Sequence, residues 1–285
     1  MKKHIFIVLC MVLIALNGCS AQYKRISFDE AALGEILDTH ISEKTKVIYE
    51  ENDSFSDKLP LYKISSRNIS DKEFKQMLDQ LELSEYESSF SLDGNKLTGT
   101  LANYTDAHRE YFNMSEEELE QLAWDTFNKI PFIEGHYEYL GIRSTDTLSS
   151  STETHITRVG VSFRKNIDDI GIVGNEQCWL YFDGSGLVEI NIELYDYKKI
   201  NTIDLVPLKT ASERIKTPDS FSVKSESIGM LDTLQVEQIQ LLYVNQYRDD
   251  CKVLQPAYNF KGIATDVNGA QSEFNSLIVA VPEKE

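Results

Sequence analysis

Histidine, cysteine, carboxylate and aromatic residues are the groups in this sequence that can do chemistry, and their spacing decides which of them count. Past the amino-terminal stretch the histidines are His40, His108, His136 and His155. None stands in a His-Glu-x-x-His array, which sets two imidazoles one helical turn apart to grip zinc. His136-Tyr137-Glu138 places a histidine and a carboxylate on one side of an extended chain. That is the layout of a metal or acid–base pair, and equally that of an exposed strand edge. Cys178 has no basic neighbour in sequence to lower its pKa, so nothing local activates it as a nucleophile. Gly184-Ser185-Gly186 is no Gly-x-Ser-x-Gly elbow. A strand-like run follows it, where a phosphate-binding loop needs a helix, so it reads as a hairpin turn. Asp168-Asp169 with Asp183 and Glu189 offers oxygen ligands, but without the alternating positions of an EF-hand loop; solvated turns account for the same acids. The expectation is a non-enzymatic protein with no catalytic residue, no metal ligand and no cofactor.

The aromatics are better placed. Tyr137, Tyr139, Trp179, Tyr181, Tyr195 and Tyr197 recur two apart, so each pair shares one face of a strand. Same-face rings make a flat surface for a peptide or a sugar, and they also occur as half-buried sheet residues. Trp179 and Tyr181 are the candidate binding residues. Two functions fit them. One is contact with another envelope protein or peptide, through β-augmentation or face packing. The alternative is capture of a small molecule or glycan in a pocket between modules.

The amino terminus reads as an address. Lys2 and Lys3 precede an apolar run from Ile5 to Leu16, then Asn17-Gly18-Cys19-Ser20: a charged n-region, an apolar h-region and a small residue before a cut. Leu16-Asn17-Gly18-Cys19 resembles the lipobox of bacterial lipoproteins. That resemblance implies that residues 1–18 are a removed signal peptide and that the Cys19 thiol carries lipid. Residues 19–25 would then be a tether, and the body would lie in the cell envelope, membrane-anchored and facing away from the cytoplasm. No later apolar stretch approaches the ~18–20 residues of a membrane span. The net charge is −18, and loss of Lys2 and Lys3 makes it more negative by two. Such acidity argues against nucleic acid and against lying flat on anionic lipid. Cys178 and Cys251 are candidates for a disulfide in an oxidising envelope; two separate buried thiols are the alternative.

The rest of the chain must position these groups. Ser27-Phe28-Asp29-Glu30, Ser70-Asp71-Lys72-Glu73 and Ser115-Glu116-Glu117-Glu118 each have capping-box spacing. They predict three helices, with Leu33, Ile36, Leu37 and Ile41, then Phe74, Met77, Leu78 and Leu81, then Leu119, Leu122, Ala123, Phe127 and Ile130 facing inward. Pro207 suits the first turn of a fourth helix carrying Leu208, Ala211 and Ile215. Asp93-Gly94-Asn95-Lys96 and Asp183-Gly184-Ser185-Gly186 predict hairpin turns. The Ser/Thr-rich stretch Ser144–Thr154 reads as a solvated loop.

The run Val159-Gly160-Val161-Ser162-Phe163, then Gly171-Ile172-Val173-Gly174 and Trp179-Leu180-Tyr181-Phe182-Asp183-Gly184, resembles the PepSY-like modules of bacterial envelope proteins and protease propeptides. Leu241-Leu242-Tyr243 and Leu254 to Gly262 look like the last module of YycI-type accessory regulators of an envelope histidine kinase. Those families bring no catalytic residues; they imply a binding or inhibitory role. The expected fold is α+β, in tandem modules of one helix packed on an antiparallel sheet: residues 26–105, a PepSY-like module at 106–200 and a YycI-like module at 201–285.

Overall fold

The computed structural model describes residues 41–50, 55–101, 111–149, 153–173, 177–216, 221–223, 229–246 and 252–282. Cys19, His40, His108, Cys251 and most of the helix expected after Ser27 lie outside them. In chain order the elements are β1 (Lys46–Ile48), β2 (Lys58–Ser66), α1 (Asp71–Gln80), β3 (Phe90–Asp93), β4 (Lys96–Thr100), α2 (Glu116–Phe127), β5 (His136–Ser149), β6 (Thr154–Ile167) and β7 (Ile170–Val173). There follow β8 (Gln177–Asp183), β9 (Gly186–Glu193), β10 (Tyr195–Asp204), α3 (Leu208–Glu213), β11 (Phe221–Val223), β12 (Leu231–Gln246), β13 (Val253–Asp266) and β14 (Gln271–Val279). The chain divides into two compact units, residues 64–197 and the described part of 1–63 with 198–285.

The unit of residues 64–197 holds the sheet that carries Trp179. Its strands pair antiparallel in the order β3-β4-β9-β8-β6-β5, and β7 folds back on the end of β6. Alternation sends Val159, Val161 and Phe163 of β6, Leu180 and Phe182 of β8, and Ile190 and Ile192 of β9 to one face. Both helices join that core, α1 through Phe74, Met77 and Leu78 and α2 through Leu119, Ala123 and Phe127. Each fully buried side chain of this size contributes about 1.5–3 kcal/mol. The capping boxes form as spaced. Ser70 Oγ accepts from Glu73 N at 3.3 Å while Glu73 Oε2 accepts from Ser70 N at 2.8 Å, and Ser115 and Glu118 repeat the pattern. Phe163 anchors the aromatic centre, stacked on Phe127 at 4.2 Å with Trp124 edge-on at 4.8 Å.

In the other unit β12, β13, β14 and β11 pair antiparallel in that order. β1 runs parallel along β12, and β2 meets the start of β13 through Tyr62 and Lys63. Ala211 of α3 and the following Ile215 pack with Leu234, Tyr258, Phe260 and Phe274. Tyr258 Oη donates to the Val206 carbonyl at 3.1 Å. A bulge in β12 between Val236 and Gln238 brings its backbone against Gly262 of β13.

The expected fold class is overturned. The protein is a large mixed β structure with few helices, not tandem α+β modules of one helix on one sheet. Fourteen strands stand against three α-helices of 10, 12 and 6 residues among the described residues. The physical reason lies in long-range pairing. The β3–β4 hairpin, expected within residues 26–105, extends the sheet of the next expected module by pairing β4 with β9. Helix α1 shares a core with α2 rather than keeping its own sheet. The stretch expected as a solvated loop is mostly strand as well, since β5 continues to Ser149 and β6 begins at Thr154.

Candidate binding surface on the outer sheet face

Strand β8 divides its side chains between two tasks. Cys178, Leu180 and Phe182 point into the core. Trp179 and Tyr181 point to the opposite face, where both are half-buried. Their ring planes lie within 16° of parallel, with centroids 6.1 Å apart.

What lies under the rings explains their placement. Tyr181 is paired across the ladder with Gly160, and Trp179 with Ser162. A Cβ on Gly160 would sit 2.6 Å from the Tyr181 ring and 2.3 Å from Ser144 Oγ. Hydrogen is therefore the side chain that lets this ring lie across β6 toward Ser144. Ser162 is fully buried, and its Oγ has no hydrogen-bond partner. Arg158 fixes the end of the surface. Its Nη1 pairs with Glu189 Oε2 at 2.6 Å, its Nε donates to Asp146 Oδ2 at 2.7 Å, and its guanidinium lies 4.8 Å from the Tyr181 centroid. One side chain so ties β5, β6, β8 and β9 together. Burial, reinforced by Glu189, pushes the Tyr181 phenol above its ordinary pKa, against the pull of Arg158 and Ser144.

The remaining candidates have structural work. Tyr137 and Tyr139 turn toward the core side, against Phe127 at 5.0 Å and Phe163 at 5.5 Å. Tyr195 is buried with its hydroxyl on Glu193, and Tyr197 lies beside Lys165. Glu138, expected beside His136, is committed to Arg164. Asp168 and Asp169 form the two-residue turn between β6 and β7, both with positive φ (50° and 63°), as a type I′ hairpin demands. Asp183 Oδ1 accepts from Ser185 N at 2.8 Å in the β8–β9 turn. No group of three or more metal-ligating side chains occurs among the described residues. Cys178 is a free, buried thiol, and burial pushes its pKa well up; Cys251, its candidate disulfide partner, lies outside the described residues.

Arg158, Gly160 and Ser162 were not singled out in sequence as part of a site. Their signal is the alternation Val159-Gly160-Val161-Ser162-Phe163, in which every second residue is small beneath a large aromatic on the neighbouring strand. The surface offers stacking area, an indole N–H that donates to no described residue, and the carboxylates of Glu189 and Asp146, which meet Arg158 through Oε2 and Oδ2.

No family model matches this chain, and no curated protein does. Solved structures do match in fold. One is the crystal structure of an uncharacterized protein from Eubacterium rectale ATCC 33656, with a TM-score of 0.50 at 13% identity over 85% of this chain and 89% of that one. The likeness is one of fold alone.

Proposed function

We propose that this chain is a lipid-anchored, non-enzymatic cell-envelope protein that binds another envelope protein or peptide through the outer face of the sheet in residues 64–197. The observation that carries this reading is the Trp179–Tyr181 pair. Any strand can carry a single aromatic residue on its half-buried face. This one lays two large rings over Gly160 and Ser162 and braces them with Arg158. Face packing suits the geometry better than strand addition. Edge strand β5 is irregular at three points of its pairing with β6, and edge strand β3 is four residues long. Both are devices that discourage an added strand. The anchor at Cys19 rests on the lipobox resemblance, with the acidic body held off the bilayer on its tether.

The test is a photo-crosslinking residue at position 181 in intact cells, in chains with Cys19 retained or replaced (Cys19→Ser). The expected result is a discrete membrane-fraction protein adduct that is lost in Trp179→Ala and depleted in Cys19→Ser. An unchanged adduct in Trp179→Ala would remove the surface from the reading. Saturation of the Trp179 emission by oligosaccharides, with no protein adduct, would replace the partner with a glycan.

A further inference from the structure

Resting on that reading, we infer that the partner segment is an extended, basic stretch of polypeptide that lays two side chains, two residues apart, on Trp179 and Tyr181. Three features of the surface select it. The first is spacing. The rings are 6.1 Å apart, and same-side residues of an extended chain repeat every ~6.6 Å. Same-face residues of a polyproline helix repeat at ~9.3 Å. An α-helix offers a repeat of ~6 Å between residues four apart, so spacing alone does not separate it from a strand.

The second feature does. The half-buried Trp179 carries an indole N–H that donates to no described residue. A helix spends its carbonyls internally, whereas an extended segment presents them outward, free to accept such a bond. The third feature is charge. Glu138, Asp146 and Glu189 flank the rings against Arg158 and Arg164, and both guanidinium groups are already paired with those carboxylates. The carboxylates of Glu189 and Asp146 still draw a cation, in a chain of net charge −18. Indole is also the best aromatic face for a lysine or arginine, and Trp179 has no described cation over it, whereas Tyr181 already has Arg158.

The experiment is calorimetric titration of the folded full-length chain at low salt with synthetic peptides in a threonine-rich host. One peptide carries Arg and Leu two residues apart, a second carries them four apart in a helix-forming host, and a third replaces Arg with Glu. The first peptide is expected to bind at least tenfold more tightly than the third and several-fold more tightly than the second. That preference should shrink in Glu189→Gln, vanish in Trp179→Ala and weaken as salt rises. Equal binding of the basic and acidic peptides, better binding of the helical one, or no binding of any would each overturn the inference. A protein adduct at position 181 alongside such a failure would leave the broader function standing and sink only this segment class.

Discussion

Replacing Gly262 with alanine tests the backbone of this fold at its tightest point. At the β12 bulge, a Cβ built on Gly262 would meet the Gln235 carbonyl oxygen at 1.9 Å, its carbonyl carbon at 2.9 Å and Glu237 N at 3.0 Å. Ordinary contact needs ~3.5 Å, so a ladder carbonyl must withdraw by roughly 1.5 Å. Overpacking that flexible side chains can absorb costs about 1–3 kcal/mol. Here the obstacle is main chain, fixed on both sides by the β12–β13 register, so Gly262→Ala is expected to cost about 3 kcal/mol or more. For a unit of this size that is a fall in Tm of roughly 6–12 °C. The measurement is thermal and urea unfolding followed by far-UV circular dichroism. Gly160→Ala serves as the internal comparison, because its obstacles are the Ser144 hydroxyl and the Tyr181 ring. Those groups can give way, and the expected cost is about 1 kcal/mol. If Gly262→Ala lost less than Gly160→Ala, the reasoning from backbone obstruction would be wrong.

Two further outcomes follow from single side chains. Asp266 anchors the β13–β14 turn. Burial alone would raise its pKa, but the N–H groups of Ala270, Gly229 and Asn268 outweigh that and hold it below its usual value. A depressed folded pKa means a contribution present above the unfolded pKa of ~3.9 and lost as pH falls through the folded one. Stability of wild type should therefore drop more steeply below about pH 4 than that of Asp266→Asn; parallel acid-unfolding curves for the two would contradict this. Cys178 is buried with its pKa pushed up, so a thiol reagent at neutral pH should leave it unmodified in the folded chain and label it fully in urea, read by mass spectrometry of the tryptic peptide.

Local chemistry was legible in the sequence because it is written in neighbouring residues. Ser70 with Glu73 and Ser115 with Glu118 cap their helices by contacts three positions apart, and Asp93-Gly94-Asn95-Lys96 turns its hairpin, with Gly94 at φ 59°. The class of the fold was not legible, since it depends on which strands find each other. Nothing in Lys96–Thr100 announces that it will lie along Glu189–Glu193, almost a hundred residues away. The arm of β5 and β6 beyond Asp146 was hidden for another reason. Thr147, Leu148 and Ser149 of β5 are all exposed, and in the facing stretch of β6 only Thr157 is buried, so the arm lacks the apolar alternation by which a half-buried strand is recognised. The two-residue spacing of aromatics was visible throughout, but not the face each pair would take. Tyr137 and Tyr139 went to the core side, Trp179 and Tyr181 to the other.

That split separates the side chains that hold the sheet together from those that face outward. Along Cys178-Trp179-Leu180-Tyr181-Phe182 every second side chain is sealed in the core, at 3%, 0% and 0% exposure, and supplies the burial that holds the sheet together. Trp179 and Tyr181 contribute far less to that core, yet Gly160, Ser162, Ser144 and Arg158 are all arranged around them. Gly160 gives up strand propensity to admit a ring. Ser162 leaves a buried hydroxyl without a partner, at a cost of about 1–3 kcal/mol. Arg158 lies over the Tyr181 ring while its pairs with Asp146 and Glu189 tie neighbouring strands together. Gly160 and Ser162 are thus the small positions over which the rings lie, and the binding role proposed for this face rests on that arrangement.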